Sequence, residues 1–139
     1  LVGAYPRDIK LADVNADGAP DVIIAVFGAN LVSVLLNDGS GTFNTNTDYT
    51  GVTKPYGIAV SDVDGDGKLD LVSANYDGNS FGVFKGVGDG TFSSPVLYTA
   101  NAATFIARGV DVADFNNDGK MDIVVTGSTI YKATIFFGW

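Results

Sequence analysis

The chain contains no cysteine and no histidine. Without cysteine there is no disulfide framework and no thiol chemistry, and the redox compartment stays open. Without histidine the usual general base is missing, so no serine has a base partner for a nucleophilic triad. Together the two absences remove the ligands that zinc and copper sites rely on. A long apolar run is missing too. The most apolar stretch, 22–36, is interrupted by Gly28, Asn30 and Ser33 and is too short to span a bilayer. Basic residues form no stripe of the kind that nucleic acid requires. No window keeps a helical period. There is no Asn-x-Ser/Thr sequon, no visible signal peptide and no initiating Met. We therefore read the chain as a mature or excised piece.

What is present points to strands and turns. The 139 residues fit one domain, and 46% hydrophobic content can fill a sizeable core. Eighteen glycines, with many β-branched and aromatic residues, favour strands over helices. The formal charge of −8 is not spread out. Most of the acidic residues fall in three nine-residue stretches: 13–21 (DVNADGAPD), 62–70 (DVDGDGKLD) and 114–122 (DFNNDGKMD). One divalent cation in each would bring the total close to neutral.

Each stretch places oxygen donors on alternate residues. The first offers Asp13, Asn15, Asp17, the Ala19 carbonyl and Asp21. The second offers Asp62, Asp64, Asp66, the Lys68 carbonyl and Asp70. The third offers Asp114, Asn116, Asp118, the Lys120 carbonyl and Asp122. A tight turn would point these oxygens at one centre, and carboxylates at contact repel unless a cation joins them. Hard oxygen donors suit calcium, up to three ions in all, holding the loops in a structural role. Solvated Asp/Asn/Gly turns are the bland reading. Threefold recurrence with constant spacing favours the metal. The middle loop ranks tightest, because Asp64 stands where the others have Asn15 and Asn116. Pro20 stiffens the first. An EF-hand would need helices and a glutamate at loop position twelve, where Ile24, Ser73 and Val125 stand in apolar strand-like runs.

The loops start 49 and 52 residues apart, giving repeats of approximately 1–49, 50–98 and 99–139. Each repeat reads as four short strands. The first are 8–12, 57–61 and 109–113, and the second follow the loops. The third end near Asn37, Gly86 and Gly138. The fourth run from Thr42 to Tyr49 and from Thr91 to Tyr98. The last repeat stops at Trp139, before a fourth strand. Four strands in about 50 residues is a propeller blade. The expected class is all-β: three antiparallel blades, the last incomplete, with calcium loops between strands one and two. Three blades are fewer than a ring needs. The expectation is a segment of a longer ring, or copies that complete one another. Phe27, Phe43, Phe81, Phe84, Phe92, Phe136 and Phe137 are expected in the core between blades. Trp139 is expected to cover an edge or meet another subunit.

The segments DVNADGAPDVIIA, SDVDGDGKLDLVSAN and ADFNNDGKMDIVVTG, with GDGTF as a closing turn, resemble the FG-GAP/VCBS repeats of integrin-like β-propellers. The resemblance implies calcium loops on one face and ligand binding on the other, at the loops joining strands two to three and four to one. On that face we expect Arg7, Tyr56 and Arg108, which share one repeat column, with Tyr76 and Asp77. Asn30, Asn79, Tyr131, Lys54, Asn101 and Thr104 are further loop candidates. Packing between blades is the alternative role for all of them. The expected function is a non-catalytic, extracellular or cell-surface module for glycan or protein recognition, placed where calcium is abundant. Self-assembly of copies, and a non-catalytic segment of a carbohydrate-active enzyme, are the alternatives. Most carboxylates that could act as acid and base are committed to the loops, so an enzyme would need residues outside this segment.

Overall fold

The computed structural model describes residues 4–100, 105–128 and 132–139. They form eleven strands in three antiparallel sheets. The first sheet is β1 (Pro6–Ala12), β2 (Asp21–Val26), β3 (Leu31–Asn37) and β4 (Phe43–Tyr49), in that order. The second is β5 (Pro55–Ser61), β6 (Asp70–Asn75), β7 (Ser80–Phe84) and β8 (Val96–Thr99). The third has β9 (Ala107–Ala113), β10 (Asp122–Gly127) and β11 (Lys132–Phe136), with β11 at its edge. β11 is the last strand among the described residues. A single 3-10 turn, Phe27–Ala29, links β2 to β3.

The sheets stand side by side through their first strands, β1 against β5 and β5 against β9. Two apolar layers fill the gaps. Ile23, Ala25, Val32 and Val34 of the first sheet meet Ile58, Leu71 and Phe84 of the second. Val72, Phe81 and Val83 of the second meet Ala107, Ile123 and Val125 of the third. The inner strands of the middle sheet are therefore covered on both faces, and all six residues of β6 are buried, while β8 is exposed. Side chains on a strand alternate between faces, so Leu71 serves one layer and its neighbour Val72 the other. Gly57 permits the close approach of β5 to β9. A Cβ there would lie 2.4 Å from the Arg108 carbonyl oxygen.

Several sequence expectations need correction. The first strands begin two residues earlier than predicted, at Pro6, Pro55 and Ala107. Pairing continues past a bulge in each, and the bulged residues are Arg7, Tyr56 and Arg108. The fourth strand of the second sheet shrinks to Val96–Thr99, with a lone bridge from Gly86 to Phe92 before it. Pro95, which has no N–H to donate, separates the two. Phe43 and Phe137 are not core; they are 40% and 61% exposed. Phe43 begins an outer strand, and Phe137 follows β11 at the edge of the stack. Phe27 is half-buried. Trp139 reaches across to the second sheet, with its ring centroid 4.6 Å from that of Tyr98 and 6.0 Å from that of Phe81.

Candidate metal centre

The three aspartate loops join β1 to β2, β5 to β6 and β9 to β10, all at the same end of the sheets. Their backbones follow one plan. The sixth residue is left-handed in each, at Gly18 (φ 89°), Gly67 (φ 86°) and Gly119 (φ 85°). The fourth is left-handed too, as Ala16 (φ 58°), Gly65 (φ 75°) and Asn117 (φ 60°). Glycine fills the sixth position of all three loops but the fourth of only one. Glycine and asparagine enter this region easily, while alanine carries a cost of roughly 1–2 kcal/mol.

Hydrogen bonds repeat from loop to loop. The first aspartate collects amides from the far side of the turn. Asp13 accepts from Asp17 N (3.1 Å) and Gly18 N (2.8 Å). Asp114 accepts from Asp118 N (3.1 Å) and Gly119 N (2.9 Å). Asp62 accepts from Gly65 N (2.8 Å), Asp66 N (3.1 Å) and Gly67 N (2.9 Å). The fifth residue accepts from the seventh amide: Asp17 from Ala19, Asp66 from Lys68 and Asp118 from Lys120. This last bond, with the Asn116 amide second, holds the Asp118 carboxyl below its ordinary value.

The ninth residue behaves differently. Asp21, Asp70 and Asp122 are buried, and each carboxylate bridges two segments. One oxygen accepts from the second loop amide: Val14 (2.9 Å), Val63 (3.0 Å) or Phe115 (3.0 Å). The other accepts from the end of the third strand: Asn37, Gly86 or Gly138, each at 2.8 Å. These aspartates staple the loop to the sheet, a role that the ligand pattern alone did not reveal. Burial pushes the Asp70 carboxyl above its ordinary value, although the Gly86 and Val63 amides pull the other way.

The middle loop is the most crowded. Oxygens of Asp62, Asp64 and Asp70 lie within 4.8 Å of one another. A cation of the chain itself answers this charge: the Lys85 ammonium pairs with Asp64. That hydrogen bond holds Asp64 below its ordinary value. Lys68 pairs with Asp66 at 3.2 Å. By strand register the counterparts of Lys85 are Leu36 and Phe137, so only the middle repeat has this ammonium. The donor set is all oxygen, and one of its members already holds a positive group. The oxygen set fits a hard divalent cation, for which the ammonium is a competitor. The expected Ala19, Lys68 and Lys120 carbonyls sit in the same turns. The loops are flanked by strands, and Ile24, Ser73 and Val125 lie inside β2, β6 and β10, which excludes an EF-hand.

The FG-GAP-like repeat matches residues 13–73 and 62–125, each match running from one loop into the strand after the next loop. The chain belongs to the FG-GAP-like repeat family. No curated protein matches it. In this FG-GAP-like chain no helix among the described residues is long and apolar enough to cross a membrane.

At the other end of the sheets, five predicted ligand residues come together. The Arg7 guanidinium lies over the rings of Phe27 (5.0 Å) and Tyr56 (5.3 Å). Arg108 lies over Tyr56 (5.4 Å) and Tyr76 (5.5 Å). Tyr56 and Tyr76 stack at 5.9 Å, and Asp77 pairs with Lys54 at 2.6 Å. Phe27, expected in the core, is part of this cluster, meeting Tyr76 at 5.5 Å. Asn30 accepts the Lys54 amide and so ties two loops. Tyr131, Asn101 and Thr104 lie outside the described residues.

Proposed function

We propose that this FG-GAP-like chain is a calcium-stabilised β-propeller segment, a non-catalytic recognition module working outside the cell or at its surface. Calcium organises the loop end, and ligand, a glycan or a protein, meets the opposite end. The observation that carries this reading is the threefold repetition of one loop plan with an all-oxygen donor set. Binding to the folded state alone stabilises by about 2.7 kcal/mol per site at a hundredfold excess over Kd. Saturating calcium is therefore expected to raise the melting temperature over the chelated protein by about 10 °C for each site filled. Calorimetric titration should show up to three ions bound. Equal melting in calcium and chelator, with no heat of binding, would reject the reading.

A second reading is self-assembly. Ile9 and Leu11 on β1 are 57% and 66% exposed, and Ile135 and Phe137 are exposed at the far side of the stack. Faces of this kind invite another copy. Light scattering on the same samples decides the point: a mass that stays monomeric across concentration removes this alternative.

A further inference from the structure

We propose that the end of the sheets opposite the aspartate loops binds an acidic saccharide, through oxyanions held at Arg7 and at Arg108. The inference rests on the reading of that end as the recognition face and names the chemistry it selects.

The bulges come first. A bulge releases one residue from the ladder and re-aims its side chain. All three first strands bulge at the same repeat position, and the residues released are Arg7, Tyr56 and Arg108. Because β5 lies between β1 and β9, Tyr56 stands between the two arginines, within 5.3 Å of one guanidinium and 5.4 Å of the other. Each guanidinium also covers a second ring, Phe27 for Arg7 and Tyr76 for Arg108.

Stacking uses the flat face of a guanidinium and leaves its in-plane N–H groups unspent. Among the described residues, neither arginine makes an ion pair or hydrogen bond. The acids nearby are engaged elsewhere. Asp77 pairs with Lys54, and Asp8 accepts the amides of Ile9 and Ile58 and pairs with Lys10. The patch therefore carries an excess of positive charge on a chain whose formal charge is −8. Two guanidinium groups placed over aromatic rings, their donors free of partners in the protein, suit a carboxylate or sulfate. The half-buried rings of Phe27, Tyr56 and Tyr76 add apolar surface beside them, which suits a sugar ring carrying that group.

The test uses the whole chain, in calcium and in chelator, against four probes: hyaluronan oligosaccharide for carboxylate, dextran sulfate for sulfate, neutral dextran and poly-glutamate. One or both acidic saccharides should bind, more weakly as salt rises, and neutral dextran should not. The double variant R7A/R108A should lose about 100-fold in affinity. R7K/R108K keeps the charge but not the stacked forks and should lose about tenfold. If the alanine pair does not melt like the parent, the lysine pair decides. Equal binding of neutral dextran, unchanged affinity in the variants, or binding of poly-glutamate alone overturns the proposal. So does a lack of anion binding by folded protein, with or without calcium. Failure to take up calcium overturns the metal reading instead, since none of these residues belongs to the loops.

Discussion

Asp70→Ala should cost about 3–5 kcal/mol of folding stability in chelator at neutral pH. The Asp70 carboxylate takes the Val63 amide at 3.0 Å and the Gly86 amide at 2.8 Å. Alanine leaves the buried Val63 amide and the half-buried Gly86 amide without this partner, and an unsatisfied buried group costs about 1–3 kcal/mol. Relief of repulsion from Asp64 and Asp66 offsets part of this, because their charges also act on Asp70. For a domain with a total of about 5–15 kcal/mol, the loss is large. Asp70→Asn keeps one acceptor and should lose less. Urea denaturation measures both. A loss below about 1 kcal/mol for alanine would mean that water reaches the two amides and that the staple is unimportant.

The same residue sets a pH dependence with a definite sign. Burial raises the folded pKa of Asp70 above the ordinary 3.8. Between the unfolded and folded values the folded state binds more protons. The part of the stability due to Asp70 is thus greatest below 3.8 and declines as pH rises through the folded value, in the metal-free chain. Asp70→Asn does not titrate and should lack this decline.

Lys85→Leu should tighten calcium binding at the middle loop by about threefold to fivefold. Lys85 pairs with Asp64, so an entering ion must displace an ammonium from one of its own ligands. Leu36 and Phe137 make no such demand at the corresponding places. The extra carboxylate of the middle loop is thus partly cancelled in the parent, and leucine restores its full effect. In the metal-free state the sign reverses. There the ammonium relieves the crowding of Asp62, Asp64 and Asp70, so the variant should be less stable in chelator. Calcium titration followed at the Gly65 and Gly67 amide resonances isolates the middle site. Unchanged affinity there would show that Lys85 leaves the loop freely and plays no part.

The sequence by itself determined the repeat, the strand order and the position of each loop. These rest on local chemistry. A carboxylate and the amides it accepts lie within five residues in Asp13, Asp62 and Asp114, so nine letters contain the whole turn. Alternation and glycine punctuation likewise act over a few residues, and they marked the strands on either side. The column of Arg7, Tyr56 and Arg108 was also legible, but as a list of types with no geometry.

Only the tertiary structure decided what those residues meet. Asp21, Asp70 and Asp122 each reach an amide sixteen residues away, across the second hairpin, which makes them staples as well as candidate ligands. Lys85 meets Asp64 from 21 residues away. The bulges depend on the register between strands. The alternation of arginine and aromatic rings depends on three sheets standing side by side. Phe43 and Phe137 read as core because they are apolar, yet they lie on an outer strand and at an outer edge. Burial is a property of the stack, and a strand's own sequence does not say whether a neighbour covers it.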